Sequence, residues 1–206
     1  MVLIAFLSLA PFFYLLDYLP DTENLDEELA QLGMVIVSDP VPLDTSGFID
    51  HLGEKFSKQS LEGKWTFAYF GFTRCPDFCP ATMSVLGRAE VLINANLDGE
   101  GALEYQGVLF TLDPDRDQPA YLGSYVTTFS QNFKGVWSNT DLERLTREMD
   151  VVFEKVSMEG GGYLFDHTSN VVVISPDAEY FGYIKRPHTP ENIKNIYELL
   201  QTKLAS

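Results

Sequence analysis

From about Leu43 to the end of the chain, short apolar runs alternate with stretches of helical spacing. A sheet with crossover helices produces this alternation, because each strand is followed by an element that returns the chain across a sheet face. Residues 65–72 form an uninterrupted aromatic and apolar strand candidate. Over 81–97, Met83, Leu86, Ala89, Ile93 and Leu97 recur on one helical face. Residues 108–112 predict a second buried strand, ended by Asp113-Pro114, and Pro119 then opens a helix through Tyr121, Leu122, Tyr125 and Val126. A further short helix is predicted over 140–149. Residues 171–174 and 180–184 flank Ser175-Pro176-Asp177-Ala178-Glu179 and read as a hairpin. Thr189 as N-cap, Pro190 at the first helical position, and Ile193, Ile196, Tyr197 and Leu200 on one face predict a closing helix. The fold class is α/β, a central mixed sheet flanked by helices, with no internal repeat.

The amino terminus breaks this pattern. Residues 2–16 are almost continuously apolar, interrupted by Ser8 and Pro11. The run is shorter than the roughly 20 residues a helix needs to cross hydrocarbon, although Tyr18 and Leu19 extend it into the interface. No Lys or Arg precedes it and no clear A-x-A-like site follows, so residues 1–19 read as a hydrophobic membrane anchor or signal-anchor helix rather than a cleaved signal. Residues 20–42 read as an acidic tether whose Asp39-Pro40-Val41-Pro42 is extended and incompatible with helix. The domain proper is expected over 43–206.

Composition changes the picture little. The chain has 206 residues, 45% of them hydrophobic and 13% aromatic, enough for one buried core. Its formal charge of -16 and the lack of a polybasic patch exclude nucleic acid as a partner. The acidic surface itself is explained by solvation.

The two cysteines of the chain, Cys75 and Cys79, stand in Gly71-Phe72-Thr73-Arg74-Cys75-Pro76-Asp77-Phe78-Cys79-Pro80, between the first strand and the helix that follows. A disulfide there would close only a tiny loop, so stapling is the weakest of their roles. A helix amino terminus favours thiolate over thiol, Arg74 acts in the same sense, and Asp77 is placed to cap the turn. Residues four apart on a helical turn lie roughly 6 Å apart between α-carbons, within disulfide range, and the same spacing lets two sulfurs meet one soft ion such as copper(I) or zinc. Three intervening residues, where a thioredoxin-type redox pair has two, weaken the redox reading without removing it. Spacing alone leaves metal and redox roles level. Of the three histidines, His51 and His188 are expected in exposed loops, and Met83 and Met158 in core or loop rather than as ligands. His167 follows the glycine run 160–162, which could deliver an imidazole to the cysteine turn across the sheet edge.

The combination of Gly63-Lys64-Trp65, the segment 71–80, Leu112-Asp113-Pro114-Asp115-Arg116-Asp117 and Asp166-His167-Thr168 resembles the Sco (SCO/SenC) family from about Leu43 onward. That resemblance implies a thioredoxin-like fold and a metallochaperone that delivers copper, as copper(I) with copper(II) also admitted, to the dinuclear copper centre of cytochrome c oxidase during assembly. It implies Cys75, Cys79 and His167 as the metal ligands and the copper-binding subunit of the oxidase as partner, with a copper donor or thiol reductant unnamed. It also implies a membrane-anchored domain facing the bacterial periplasm at the inner membrane. Arg74 stands where the family often has histidine, Ala178 where its hairpin often has glycine, and the amino-terminal run lacks basic flanks. The alternative is a thiol-disulfide oxidoreductase acting on the cysteines of the oxidase subunit, with Cys75 and Cys79 as the catalytic redox pair. A peroxidase reading rests on Thr73 alone, placed shortly before Cys75.

Overall fold

The computed structural model describes residues 22–95 and 104–205. The hydrophobic helix expected over 1–19 lies outside them. Among the described residues no helix is long and apolar enough to cross a membrane.

In chain order the elements are α1 (Thr22–Gln31), β1 (Met34–Pro42), β2 (Ile49–Asp50), a 3-10 turn (Lys58–Ser60), β3 (Lys64–Gly71), α2 (Phe78–Asn94), β4 (Glu104–Thr111), α3 (Pro119–Val126), β5 (Lys134–Trp137), α4 (Leu142–Glu148), β6 (Phe153–Ser157), β7 (Tyr163–His167), β8 (Val171–Ile174), β9 (Glu179–Ile184) and α5 (Pro190–Ala205). Seven strands make one mixed sheet in the order β1-β9-β8-β3-β4-β5-β2, and β6 pairs with β7 in a separate two-stranded sheet. Strands β3, β4 and β5 run parallel, while β8, β9, β1 and β2 join antiparallel.

Strand β3 is buried from Trp65 to Gly71, and all but Thr66 of that stretch is apolar or glycine, because both of its faces are covered. Trp65, Phe67 and Tyr69 enter the core shared with α2 and α5, and Ala68 and Phe70 enter the core shared with Phe110, Leu145 and Val172. Each such buried ring or aliphatic side chain contributes about 1.5–3 kcal/mol of transfer free energy. The hairpin between β8 and β9 forms as expected, with Ala178 at φ +62° in the left-handed region that explains glycine's suitability there.

Three expectations are corrected. Residues 20–42 are not a tether over their described part: α1 buries Leu29 and β1 buries Met34 in the core of the main sheet. Leu25 and Leu29 share one face of α1, and Leu32 continues it just past the helix end, an apolar stripe hidden in an acidic composition. Pro40 and Pro42 sit in β1 because it is an edge strand, where a missing N–H costs no ladder bond, and the register with β9 breaks between Ile36 and Val41. Helix α2 starts three residues before Ala81, since Pro80 is tolerated in the first turn. Finally, the glycine run is the tip of the β6–β7 hairpin: Gly160, Gly161 and Gly162 have φ of +92°, +98° and +87° with open space around them.

Candidate metal and thiol site

The chain leaves the sheet at Gly71, the last residue of β3, and must turn before α2 can start. Leu112 N–H donates to Gly71 O at 2.7 Å, closing the β3–β4 ladder. Two residues past the ladder, Asp117 takes over: it accepts the Thr73 N–H at 2.8 Å, the Thr73 hydroxyl, and the Thr111 hydroxyl at 2.8 Å. Asp117 is fully buried, and these donors compensate the loss of water around its carboxylate. The Thr73 hydroxyl donates its hydrogen to Asp117 rather than toward Cys75.

The turn presents Cys75 and Cys79 at the amino terminus of α2. Asp77 occupies the N-cap position but makes no capping hydrogen bond through its side chain. The Cys75 sulfur does so instead, accepting the Cys79 N–H at 3.4 Å. Both cysteines are free, Cys79 buried and Cys75 partly exposed. Cys79 Sγ rests directly on Gly71, where an added Cβ would come within 2.9 Å of it. Glycine is needed there for close approach.

The two sulfurs differ electrostatically. A hydrogen bond from the Cys79 thiol is the main influence on Cys75; partial burial opposes it, while the His167 ring and the Cys79 and Asp77 amides reinforce it, so the Cys75 thiol is pushed down to about 4. Cys79 moves the other way, because it shares its proton with Cys75 and because it is buried. The expectation that both thiols are favoured as thiolates is corrected to one of them. Arg74 is exposed, and the groups that depress Cys75 are the neighbouring thiol, the imidazole and the amides.

His167 reaches this turn from the foot of β7. Its Nε2 lies 3.8 Å from Cys79 Sγ across a separation of 88 residues. Nδ1 faces the Thr168 carbonyl at 2.9 Å; a carbonyl only accepts, so Nδ1 donates there, and Nε2 is the ring nitrogen turned toward the sulfurs. Tyr69 and Phe72 pack edge-on against the ring at 5.7 and 6.3 Å. Thr168 anchors the same foot, its N–H donating to Val152 O at 2.9 Å and its hydroxyl accepting the Val152 N–H at 3.1 Å. Glycine mobility does not deliver this imidazole: at about 3.3 Å per residue the tip is roughly 17 Å away along β7.

Among the described residues no three His, Cys, Asp or Glu side chains are already closed around a metal-sized point. The Cys79–His167 separation nevertheless suits a shared ion. With metal–sulfur near 2.3 Å and metal–nitrogen near 2.0 Å, two donors at 120° lie about 3.7 Å apart. A cleft of about 390 Å³ opens onto Cys75 and His167, walled by Phe72, Phe78, Val156 and Phe165.

The remaining histidines have other work and are less exposed than expected. His51 Nδ1 accepts the Gly135 N–H at 3.2 Å while its ring lies against Gly123. His188 Nε2 donates to Ile184 O at 3.1 Å. Met83 is core and Met158 is exposed beside the hairpin tip. In the sequence, the segment 112–117 is marked only as a strand end and part of a family resemblance, and nothing there marks Tyr69 or Tyr163 as neighbours of the site. A buried-acid signal was present only as a repeated aspartate, indistinguishable in sequence from a surface turn.

A profile of the family described as SCO1/SenC matches residues 46–201. A protein of Stutzerimonas stutzeri that carries the name copper-binding protein is 32% identical over 149 residues, 72% of this chain and 71% of its own. The mitochondrial SCO2 homolog of Mus musculus is 31% identical over 148 residues, 70% of this chain but 56% of the mouse protein, so the chain spans little more than half of that relative. Among solved structures, Arabidopsis thaliana ScoI with copper bound is similar at a TM-score of 0.68 and 26% identity, over 80% of this chain and 98% of that one.

Proposed function

The chain belongs to the SCO1/SenC family, and on that footing we propose that it is a copper metallochaperone serving assembly of the dinuclear copper centre of cytochrome c oxidase. Copper is its cargo. Cys75, Cys79 and His167 hold the ion, and the oxidase's copper-binding subunit receives it. The observation that carries this reading is the 3.8 Å approach of His167 Nε2 to Cys79 Sγ, with Nδ1 engaged by the Thr168 carbonyl on the far side of the ring. Two thiolates and one imidazole form a soft donor set suited to copper(I). Cys75 is poised as thiolate; Cys79 gives up its proton on uptake, so loading releases one thiol proton. The open cleft beside Cys75 and His167 leaves room for an acceptor's ligands to approach, and transfer proceeds by stepwise ligand exchange. Oxidation to a Cys75–Cys79 disulfide removes two of the three donors and blocks loading. The apolar run over 1–19 holds the domain at the bacterial inner membrane, facing the periplasm.

Titration of the reduced protein with copper(I) against a competing chelator tests this reading. One ion per chain is expected, lost in Cys79→Ser. Wild type that takes up no copper, or Cys79→Ser that binds undiminished, overturns it.

The asymmetry of the thiols supports a second activity, thiol-disulfide exchange. The Cys75 thiolate attacks a disulfide sulfur of the acceptor and releases one acceptor thiolate. Cys79, deprotonated, then attacks Cys75 and releases the second, leaving the pair oxidised and the acceptor reduced. If His167→Ala keeps copper affinity but slows this exchange, the oxidoreductase reading replaces the chaperone.

A further inference from the structure

The two halves of the site belong to different substructures. The dithiol turn hangs from the main sheet, and His167 stands on the separate β6–β7 hairpin. Something must set the distance between them, and both are tied to one short loop, 113–117. On one side Asp117 holds the turn through Thr73, as described above. On the other side Asp113, also buried, accepts the Tyr163 hydroxyl at 2.9 Å. Tyr163 is the first residue of β7. Its ring is clasped by two cations, with the Arg116 guanidinium and the Lys155 ammonium each 3.6 Å from its centroid. Arg116 Nε in turn donates to Asp113. The loop is internally closed, Asp117 N–H donating to Asp113 O at 2.8 Å and Arg116 N–H to the same oxygen at 3.1 Å. The two carboxylates are thus fixed relative to each other while facing opposite halves of the site.

We propose that loop 113–117 is a bracket that sets the gap between the thiols and the imidazole, with Asp117 the positioning residue for the dithiol turn and Asp113, through Tyr163, for the histidine hairpin. This rests on the copper reading only for its metal readout. Neither aspartate touches the cargo. Asp117 substitutes for the strand partner that Thr73 lacks, since the ladder stops at Gly71 and an unpaired N–H there would leave the turn free to choose other paths. The Asp113–Tyr163 bond and the two cations fasten a hairpin whose outer face is exposed, and which no ladder joins to the main sheet.

The test uses Thr73→Val, Asp117→Asn and Tyr163→Phe in the full chain, because Asp117→Ala removes three bonds at once and risks the fold. Three quantities are read: the ratio of Cys75 to Cys79 alkylation rates by iodoacetamide in metal-free reduced protein, the His167 ring resonances by NMR, and copper(I) affinity under chelator competition. Thr73→Val is expected to lower the alkylation ratio about tenfold and copper affinity on the order of 10-fold, as losses of supporting contacts around metal ligands do. Asp117→Asn keeps the shape and an accepting oxygen, and falls between Thr73→Val and wild type. Tyr163→Phe is expected to leave the alkylation ratio unchanged, shift the His167 resonances and lower affinity by a similar factor. A merely structural role predicts instead that variants with equal losses of thermal stability behave alike in all three. That result overturns the bracket, as does a wild-type alkylation ratio in Thr73→Val or unmoved His167 resonances in Tyr163→Phe. If wild type takes up no copper, the chaperone reading fails, while the alkylation and NMR arms still decide the bracket.

Discussion

The dithiol turn and the histidine hairpin meet at one point but are built on different terms. The turn is local: Cys75 and Cys79 share a helix start, Gly71 makes room for one sulfur, and Asp117 pins the approach. The hairpin is a long-range construction, a two-stranded sheet with no fully buried residue, tied by Tyr163 at one end and Thr168 at the other. A site divided in this way couples a fixed pair of soft donors to a third donor on a more weakly fastened element. Such an element suits capture and release, because segments with few buried contacts open at lower free-energy cost than a core.

The largest expected effect is loss of either sulfur. Cys75→Ser or Cys79→Ser should abolish stoichiometric copper(I) uptake in a chelator competition, and retention of uptake in either would place the metal elsewhere. His167→Ala should come next. Supporting contacts around metal ligands are worth 10–100-fold, so loss of the ligand itself should cost no less than about 100-fold in affinity. Its Cys75 alkylation rate should remain within a few-fold of wild type, since the Cys79 thiol is the main influence on Cys75. Equal losses of thiol reactivity and affinity would erase the distinction between the two regions.

Gly71→Ala acts on the turn alone. The new methyl would lie 2.9 Å from Cys79 Sγ and 3.2 Å from Tyr69, an overpacking expected to destabilise by about 1–3 kcal/mol in denaturant unfolding. A neutral result would mean that the sulfur is not seated on this glycine.

The thiols also separate by pH. A Cys75 pushed down to about 4 is already ionised at pH 6, so its alkylation should be nearly flat from pH 6 to 8. An ordinary cysteine would accelerate about tenfold per pH unit over that range. Cys79, shifted upward, should stay unreactive throughout in the folded protein. A Cys75 rate that climbs tenfold per unit would remove the proposed asymmetry.

Stability away from the site has its own signature. Burial pushes the Asp50 carboxyl up, but Lys134 at 2.8 Å and the Leu52 and Glu54 amides outweigh it and hold it below the usual carboxylate range. Its folded value is lower than its unfolded one, so its contribution is complete above the unfolded value of about 4 and is lost as pH falls through the folded one. Lys134→Met should therefore flatten part of the acid limb of the stability profile. The smallest effect belongs to the hairpin tip: Gly161→Ala, at φ +98°, should lower hairpin stability by about 1 kcal/mol and leave copper affinity unchanged.

The two regions also differ in how far they could be read from the sequence. The turn was legible because its determinants are contiguous: strand, two cysteines, two prolines and a helix pattern lie within one short span. The strands β3, β4, β8 and β9 were legible for the same reason, being continuous apolar runs. Met34–Pro42 was not, because an edge strand carries polar residues and prolines that a central strand excludes. The hairpin was not either: β6 is largely exposed and β7 mostly half-buried, neither carries a continuous apolar run, and the glycine tip is more conspicuous in sequence than the foot of β7, which holds the imidazole. His167 was singled out by its neighbours Asp166 and Thr168. Its tautomer, set by a backbone carbonyl, has no trace in residue identity. Asp117 shows the limit most sharply, since burial alone distinguishes it from the exposed Asp115 two residues away.

X-ray absorption at the copper edge of the reduced, copper(I)-loaded protein tests most directly whether turn and hairpin share one ion. Two sulfur neighbours and one nitrogen are predicted for wild type, with the nitrogen lost in His167→Ala while both sulfurs remain. A nitrogen shell that persists unchanged in His167→Ala would contradict the account.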